Sequence, residues 1–287
     1  MQIVTDRGMD LSPEQMAGLN LHFVPLQIIL DGKSYSSGED LQPEEFYRML
    51  EQTSSFPTTS QPSVEEFARL YRKLAETDPE ILSIHISSGL SGTINTARAA
   101  AESVPEAHIT IVDSLSLSAP FGWQVEAAAK ALKAGWSREK IVAMLLRLRT
   151  ETRGIFTLAT MKYLIHGGRI SHLKGLLASV LNIKPVIAVE TEHGTYAEMG
   201  KEMTFKRAIQ KIVDLLESWY PAGTKLRVQP LHGNNLEGVE ILRQKLLQAF
   251  SVHWEPVTTI APVLGAHTGP SLVGCAVAPL AVFEDQY

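Results

Sequence analysis

The sequence predicts a two-domain α/β protein, with an N-terminal domain over residues 1–154 and a smaller mixed α/β domain over residues 155–287. Three observations point there. Apolar strand patterns alternate with helical ones through the first half, over short connections, which implies a mostly parallel sheet flanked by helices. After about Thr152 the pattern changes, and Thr191-Glu192-His193-Gly194 between two apolar runs reads as an antiparallel hairpin. A chain of 287 residues is also near the length at which single cores stop growing and domains divide.

Taken in order, residues 2–5 read as a first strand and residues 22–30 as a second, closed by the turn pair Asp31-Gly32. Residues 43–52 read as a helix. Residues 63–77 read as a stronger one, because Ser63 and Glu66 form a capping box and Phe67, Leu70, Tyr71 and Leu74 share a face. Residues 81–86 form a strand, 91–102 an Ala-rich helix, 108–112 a strand and 117–133 a long helix stopped by Gly135. Ser137 caps the next helix. In the second half, strands are expected over 154–158, 184–190, 195–199, 225–231, 255–260 and 274–283, and helices over 204–219 and 236–250. No composition break or Pro- or Ser-rich linker separates the halves, so extensive contact and a ligand cleft between them are expected.

Composition narrows the function. Hydrophobic residues are 45% and charged residues 20%, with a net charge of -5, which lacks the basic footprint of a nucleic-acid binder. The one cysteine, Cys275, excludes an intrachain disulfide and a cysteine-based metal cluster, and reads as a buried small hydrophobe. Charges follow closely behind Ile3-Val4, which argues against a signal peptide, and no apolar run reaches the ~18 residues of a membrane span. The expected location is cytoplasmic, without stable membrane insertion. His166 and His172 are scattered rather than paired on one face, so no metal site is assigned.

Two hydroxyl-rich segments carry the chemistry. Thr58-Thr59-Ser60-Gln61-Pro62 precedes the capped helix and serves either as cap and turn or as a small-anion site at a helix N-terminus. Ser87-Ser88-Gly89-Leu90-Ser91-Gly92-Thr93 joins a strand to a helix at the carboxyl edge of the sheet, where ligands bind in open α/β folds. It lacks the spacing and lysine of a phosphate-binding P-loop. It is also one residue short of the nucleophile elbow of serine hydrolases. A small phosphate or carboxylate fits what remains. His267-Thr268-Gly269-Pro270 reads as a loop histidine able to donate to an anion. Gly167-Gly168-Arg169 reads as either an anion clamp or a structural turn. Thr5-Asp6 ends the first strand, lining the cleft edge or capping a turn. The alternative is a serine hydrolase or acyltransferase with Ser91 as nucleophile, His267 as base and Asp6 or Asp113 as orienting acid.

With these segments in order at consistent spacing, the chain resembles the DegV family from Ile3 to about Val277. The match also takes in Val24-Pro25-Leu26, Val112-Asp113-Ser114 and Leu181-Asn182-Ile183-Lys184-Pro185. The resemblance implies an N-terminal domain like the substrate-binding part of dihydroxyacetone kinases. It implies a protein with no catalytic residue of its own and no cofactor, binding a long-chain fatty acid such as palmitate between the two domains. It further implies that the acid is presented to a separate ATP-dependent kinase, the fatty acid kinase catalytic subunit, which makes an acyl phosphate for phospholipid synthesis. By the same resemblance Thr59 and Ser91 hold the carboxylate, and Arg169 and His267 stand near the head group or partner face. Ser60 and Gly92 complete the expected ligand-binding set. Leu176, Leu177, Val180, Leu181, Ile183, Val186 and Ile187 are the expected walls for the tail, unless they are plain core. The chain departs from the family pattern at Arg7, Met203 and Ser271.

Overall fold

The structure, a computed structural model, describes residues 1–173 and 183–284. Its first half runs β1 (Gln2–Asp6), α1 (Pro13–Met16), β2 (Leu21–Val24), β3 (Gln27–Leu30), β4 (Lys33–Ser36), α2 (Pro43–Gln52), β5 (Thr58–Ser60), α3 (Val64–Ala75), β6 (Glu80–His85), α4 (Thr93–Glu102), β7 (His108–Asp113), α5 (Ser118–Lys133) and α6 (Arg138–Glu151). The second half runs β8 (Arg153–Thr157), α7 (Lys162–His166), β9 (Lys184–Val189), β10 (Tyr196–Glu202), α8 (Phe205–Trp219), β11 (Lys225–His232), α9 (Leu236–Ala249), β12 (Ser251–Trp254), β13 (Thr258–Thr259), α10 (Pro262–Thr268), β14 (Val273–Pro279) and α11 (Ala281–Glu284).

The two-domain α/β architecture is as expected. Strands β2-β1-β6-β7 form a parallel sheet. The second half builds a mixed sheet in the order β10-β9-β8-β14-β11-β12, with β13 beside β11. The mixed sheet begins with β8 at Arg153, so the expected boundary at residues 154/155 falls inside a strand.

Three differences from the sequence reading bear on the site. The run at residues 22–30 is two strands in different sheets. Pro25 has no N–H to donate to a ladder, and there the chain leaves the parallel sheet. It enters a small antiparallel sheet, β4-β3-β5, which the sequence did not announce. The Thr58–Pro62 segment is therefore largely strand, with Thr59 paired to Ile28. Lastly, His267 lies on a short helix, bracketed by Pro262 in its first turn and by Gly269 (φ 75) after its end.

Packing is layered. Phe67 and Tyr71 of α3 and Ala97 of α4 cover one face of the parallel sheet, meeting Val4 and Ile81. The other face, with Ile3, Leu82 and Ile84, shares a single core with α5 and with Phe156, Ile187 and Ala276 of the mixed sheet. Helices α8 and α9 cover the far side of that sheet against Ile155, Val186 and Val228. Helix α5 is thus the joint between the domains, and most of its residues are buried. A helix apolar nearly all round is what such a central place requires.

Polar groups pin this joint. Asp10 is buried in the loop after β1. Its Oδ2 accepts from Ser118 Oγ (2.5 Å), at the start of α5, and its Oδ1 accepts from the backbone N–H of Ala261 (2.8 Å), at the start of α10. Burial pushes its carboxyl up to about 7, against the hydrogen bonds that favour the charged form. Gln229 of β11 donates to the Asp10 carbonyl (3.0 Å) and accepts from Trp123 Nε1 (2.9 Å) on α5.

Candidate functional site

A cavity of about 290 Å³ opens where the two halves meet. The first half supplies Leu26, Thr59, Ser60, Gln61, Ile86, Leu90, Ser91 and Leu117. The second supplies Arg169, Tyr196, Val263, Leu264 and His267. Five of the six expected ligand-binding residues, Thr59, Ser60, Ser91, Arg169 and His267, therefore share one wall.

The pairing of β5 with β3 presents Thr59 to α10, and Thr59 Oγ1 lies 2.8 Å from His267 Nε2. His267 is buried, and its Nδ1 has no hydrogen-bond partner among the described residues. That nitrogen faces Gly167, where an added Cβ would come within 2.1 Å of it. Burial, with a smaller contribution from Arg169, lowers the His267 pKa to about 3, so the ring is neutral. A neutral imidazole has one donor and one acceptor nitrogen. A bare lone pair costs less than a bare N–H at the unpartnered Nδ1, which puts the proton on Nε2. His267 then donates to Thr59, and the Thr59 O–H is free to donate into the cavity.

Ser91 lies just before the first turn of α4, whose Gly92 N-cap offers no side-chain cap. Its Oγ is 2.8 Å from Thr93 Oγ1 and accepts weakly from the Thr93 N–H at 3.3 Å. The positive end of α4 thus sits behind Ser91. The other helix start expected to favour an anion, that of α3, is closed by its own Ser63–Glu66 capping box. Gly92 is not on the wall. A Cβ there would fall 2.0 Å from Gln61 Oε1, so the glycine lets Gln61 lie against the second loop. Gln61 Nε2 donates to Thr96 (2.7 Å), tying the first hydroxyl segment to the helix that follows the second.

Arg169 follows Gly168 (φ 74) and donates from Nη1 to the Gly167 carbonyl (2.8 Å). It has no carboxylate partner among the described residues. Among the described residues the cavity wall contains no acidic side chain, and its formal charge is this guanidinium. The hairpin turn packs against the second hydroxyl-rich loop. Ser87 Oγ donates to the Gly194 carbonyl (2.8 Å), and Gly194 (φ 66) packs where any side chain would strike Ser87 and Leu115. Leu115 (φ 45) and Ser118 (φ 58) adopt left-handed backbone on either side of Leu117, a strained presentation of that wall residue.

Behind the cavity lies an apolar pocket of about 30 Å³ between α5 and the mixed sheet, with Pro120, Phe156, Val189, Leu231 and Leu272 on its walls. Leu117, Tyr196 and Leu264 line both spaces. Of the expected tail walls, Leu176, Leu177, Val180 and Leu181 lie outside the described residues. Ile183 packs against the inter-domain core and Ile187 belongs to it, whereas Val186 faces α8 and α9. Neighbours on a strand alternate faces, so Val186 and Ile187 could not both line one tunnel.

The hydrolase constellation does not assemble. Ser91 pairs with Thr93 and His267 with Thr59. Asp113 accepts from the backbone of Ser88 and Leu115. Asp6 accepts from His85 Nδ1 (2.9 Å), and His85 Nε2 is 2.7 Å from Ser83 Oγ, which is 2.7 Å from Tyr71 OH. This Ser-His-Asp chain is fully buried beneath the sheet edge, where no substrate reaches it. Asp6 also accepts from the Ile86 N–H (3.0 Å), fixing the strand end that carries a cavity wall residue. His166 stacks on Phe56 at 4.5 Å, and no cluster of metal-ligating side chains occurs among the described residues. Leu117 and Tyr196 were not singled out by the sequence, and Gln61 only as one member of its hydroxyl-rich run. Their places depend on long-range pairing, although Tyr196 could be noticed as the aromatic on the hairpin's return strand.

Fold and site together define a two-domain α/β protein with a hydroxyl-lined cavity backed by an apolar pocket. Comparison with known proteins places that class. The DegV family model, of proteins described as uncharacterised, matches residues 1–280. The chain belongs to the DegV family. It is 34% identical over 275 residues to a DegV domain-containing protein of Staphylococcus aureus, covering 96% of this chain and 97% of that one. Among solved structures it is similar to a DegV family protein of Thermus thermophilus described for fatty acid binding, at TM-score 0.88 and 34% identity over 97% of this chain and 99% of that one. It is likewise similar to DegV of Bacillus subtilis, described as a fatty acid binding protein, at TM-score 0.86 and 28% identity over 96% and 98%. Among the described residues no helix is long and apolar enough to cross a membrane.

Proposed function

We propose that this chain binds one long-chain fatty acid, with the carboxylate held by the Thr59 and Ser91 hydroxyls and the tail between the domains. One observation carries the reading: among the described residues the cavity wall has hydroxyls, one guanidinium without a carboxylate partner and no acid, and it narrows into a mostly apolar seam. A buried carboxylate needs hydrogen bonds or a counter-charge, and this wall offers both. The relatives described as fatty-acid-binding support the ligand class.

The seam of about 30 Å³ holds no more than a water or so, so the chain enters by parting α5 from the mixed sheet. Each methylene buried contributes ~0.8 kcal/mol, and about ten of them contribute ~8, the free energy of a micromolar Kd. The separate partners of Ser91 and His267 favour a holder of the acid over a hydrolase. Presentation of the acid to a separate ATP-dependent kinase for acyl-phosphate formation completes the reading, on the family resemblance. The ligand itself is the test. Protein purified under native conditions, then denatured and extracted, releases a long-chain fatty acid in near-equal molar amount by mass spectrometry. A folded, monodisperse protein that carries no acyl chain and takes up no hexadecanoate contradicts the reading.

A further inference from the structure

Tyr196 stands at the neck where the head cavity passes into the apolar seam. It shares that place with Leu117 and Leu264, and it alone of the three carries a polar terminus. Its ring is fixed edge-on against Phe156, with centroids 5.6 Å apart at 72°, and the residue is only 6% exposed. The hydroxyl has no hydrogen-bond partner among the described residues. Burial pushes its pKa up, with Arg169 opposing, so the phenol stays neutral and able to donate. The other hydroxyls along the seam are already used: Ser118 donates to Asp10 and Thr268 to the Leu264 carbonyl.

In an open cavity, solvent satisfies such a phenol. A plain alkyl chain drawn through the neck removes that solvent and returns nothing. A chain oxygen at the neck restores the bond, and sites built to hydrogen-bond a substrate group reject the analogue lacking it. We propose that Tyr196 reads an oxygen on the acyl chain, and that the preferred ligand is a fatty acid bearing a hydroxyl group close to its carboxyl end. This rests on the fatty-acid reading above and specifies the ligand within it.

The test is displacement of a fluorescent fatty acid from delipidated full-length protein by hexadecanoate, 2-hydroxyhexadecanoate and 3-hydroxyhexadecanoate, in wild type and Tyr196→Phe. The expected result is that one hydroxy acid binds wild type about tenfold tighter than hexadecanoate, the worth of one net hydrogen bond. Tyr196→Phe removes that preference, so that the hydroxy acid and hexadecanoate bind the variant alike. Equal or better binding of hexadecanoate to wild type overturns the proposal, and this arm does not depend on the variant folding. A Tyr196→Phe protein that loses all three acids alike also overturns it, placing the phenol on the carboxylate. If wild type binds none of the acids, it is the fatty-acid reading that fails, and the inference with it.

Discussion

Replacing Thr59 and Ser91 together by alanine weakens fatty-acid binding about a hundredfold, while affinity for the matched fatty alcohol changes little. A hydrogen bond to a charged acceptor is worth about 1.5–3 kcal/mol, and each 1.4 kcal/mol is tenfold in Kd. Two such bonds lost, with partial rescue from Arg169 and Ser60 on the same wall, give a loss of this order. The alcohol has no charge to satisfy, so its binding rests on the tail. The change should spare the fold. Thr59 sits on a short strand of a small sheet, and its backbone pairing with Ile28 survives truncation of the side chain. His267 keeps its helix but loses its one hydrogen-bond partner, so the cavity loses its ordered donor chain. Titration calorimetry with hexadecanoate and hexadecanol measures both quantities. Equal losses for acid and alcohol would place the carboxylate elsewhere.

The largest expected effect on stability comes from Arg227→Ala, at about 3–5 kcal/mol. Arg227 of β11 donates to Glu126 of α5 and to Glu255, each at 2.8 Å, and is 7% exposed. Its guanidinium also lies against the Trp123 and Phe283 rings, at 4.4 and 4.5 Å from their centres. The net worth of such a pair is small, because its desolvation nearly cancels its attraction. Removing one partner is different. Glu126 is 4% exposed and would keep only Lys130 at its other oxygen (2.6 Å), while Glu255 would lose its guanidinium as well. Two buried carboxylates left with part of their counter-charge gone, together with the lost ring contacts, carry the cost quoted. Arg227→Lys recovers little, since an ammonium cannot span two carboxylates and two rings as the planar fork does. Urea unfolding measures the change. A loss under about 1 kcal/mol would mean that the domain joint does not depend on this cluster. The pairing matters for function because α5 is also a wall of the seam that receives the tail.

Local signals in the sequence were strong, and they located most elements. The capping box at Ser63, the stop at Gly135 and the Asp31-Gly32 turn all act within a few residues, and each stands in the structure where the sequence placed it. The division of residues 22–30 between two sheets was legible only in part. Pro25 marks the break, but which sheet Gln27–Leu30 joins depends on pairing with β5, some thirty residues on. The helix carrying His267 is seven residues long, too short for a periodic pattern, and only Pro262 and Gly269 bracket it. The cavity shows the same limit. Hydroxyls in two loops suggested an anion. That Gln61 fills the space left by Gly92, or that Tyr196 reaches the neck from the far sheet, depends on how the domains meet. The buried Asp6–His85–Ser83 chain has the residue types of a catalytic triad, and only its burial shows that it is structural.

The central claim is that one carboxylate is held by Thr59 and Ser91 with its chain between the domains. A crystal structure of the protein with bound hexadecanoate tests it most directly. The account predicts a carboxylate oxygen within hydrogen-bond distance of Thr59 Oγ1 and Ser91 Oγ, and a chain running past Tyr196 into a widened seam between α5 and the mixed sheet. Density for the acid in another cavity, or in this one with its carboxylate turned away from both hydroxyls, would contradict it.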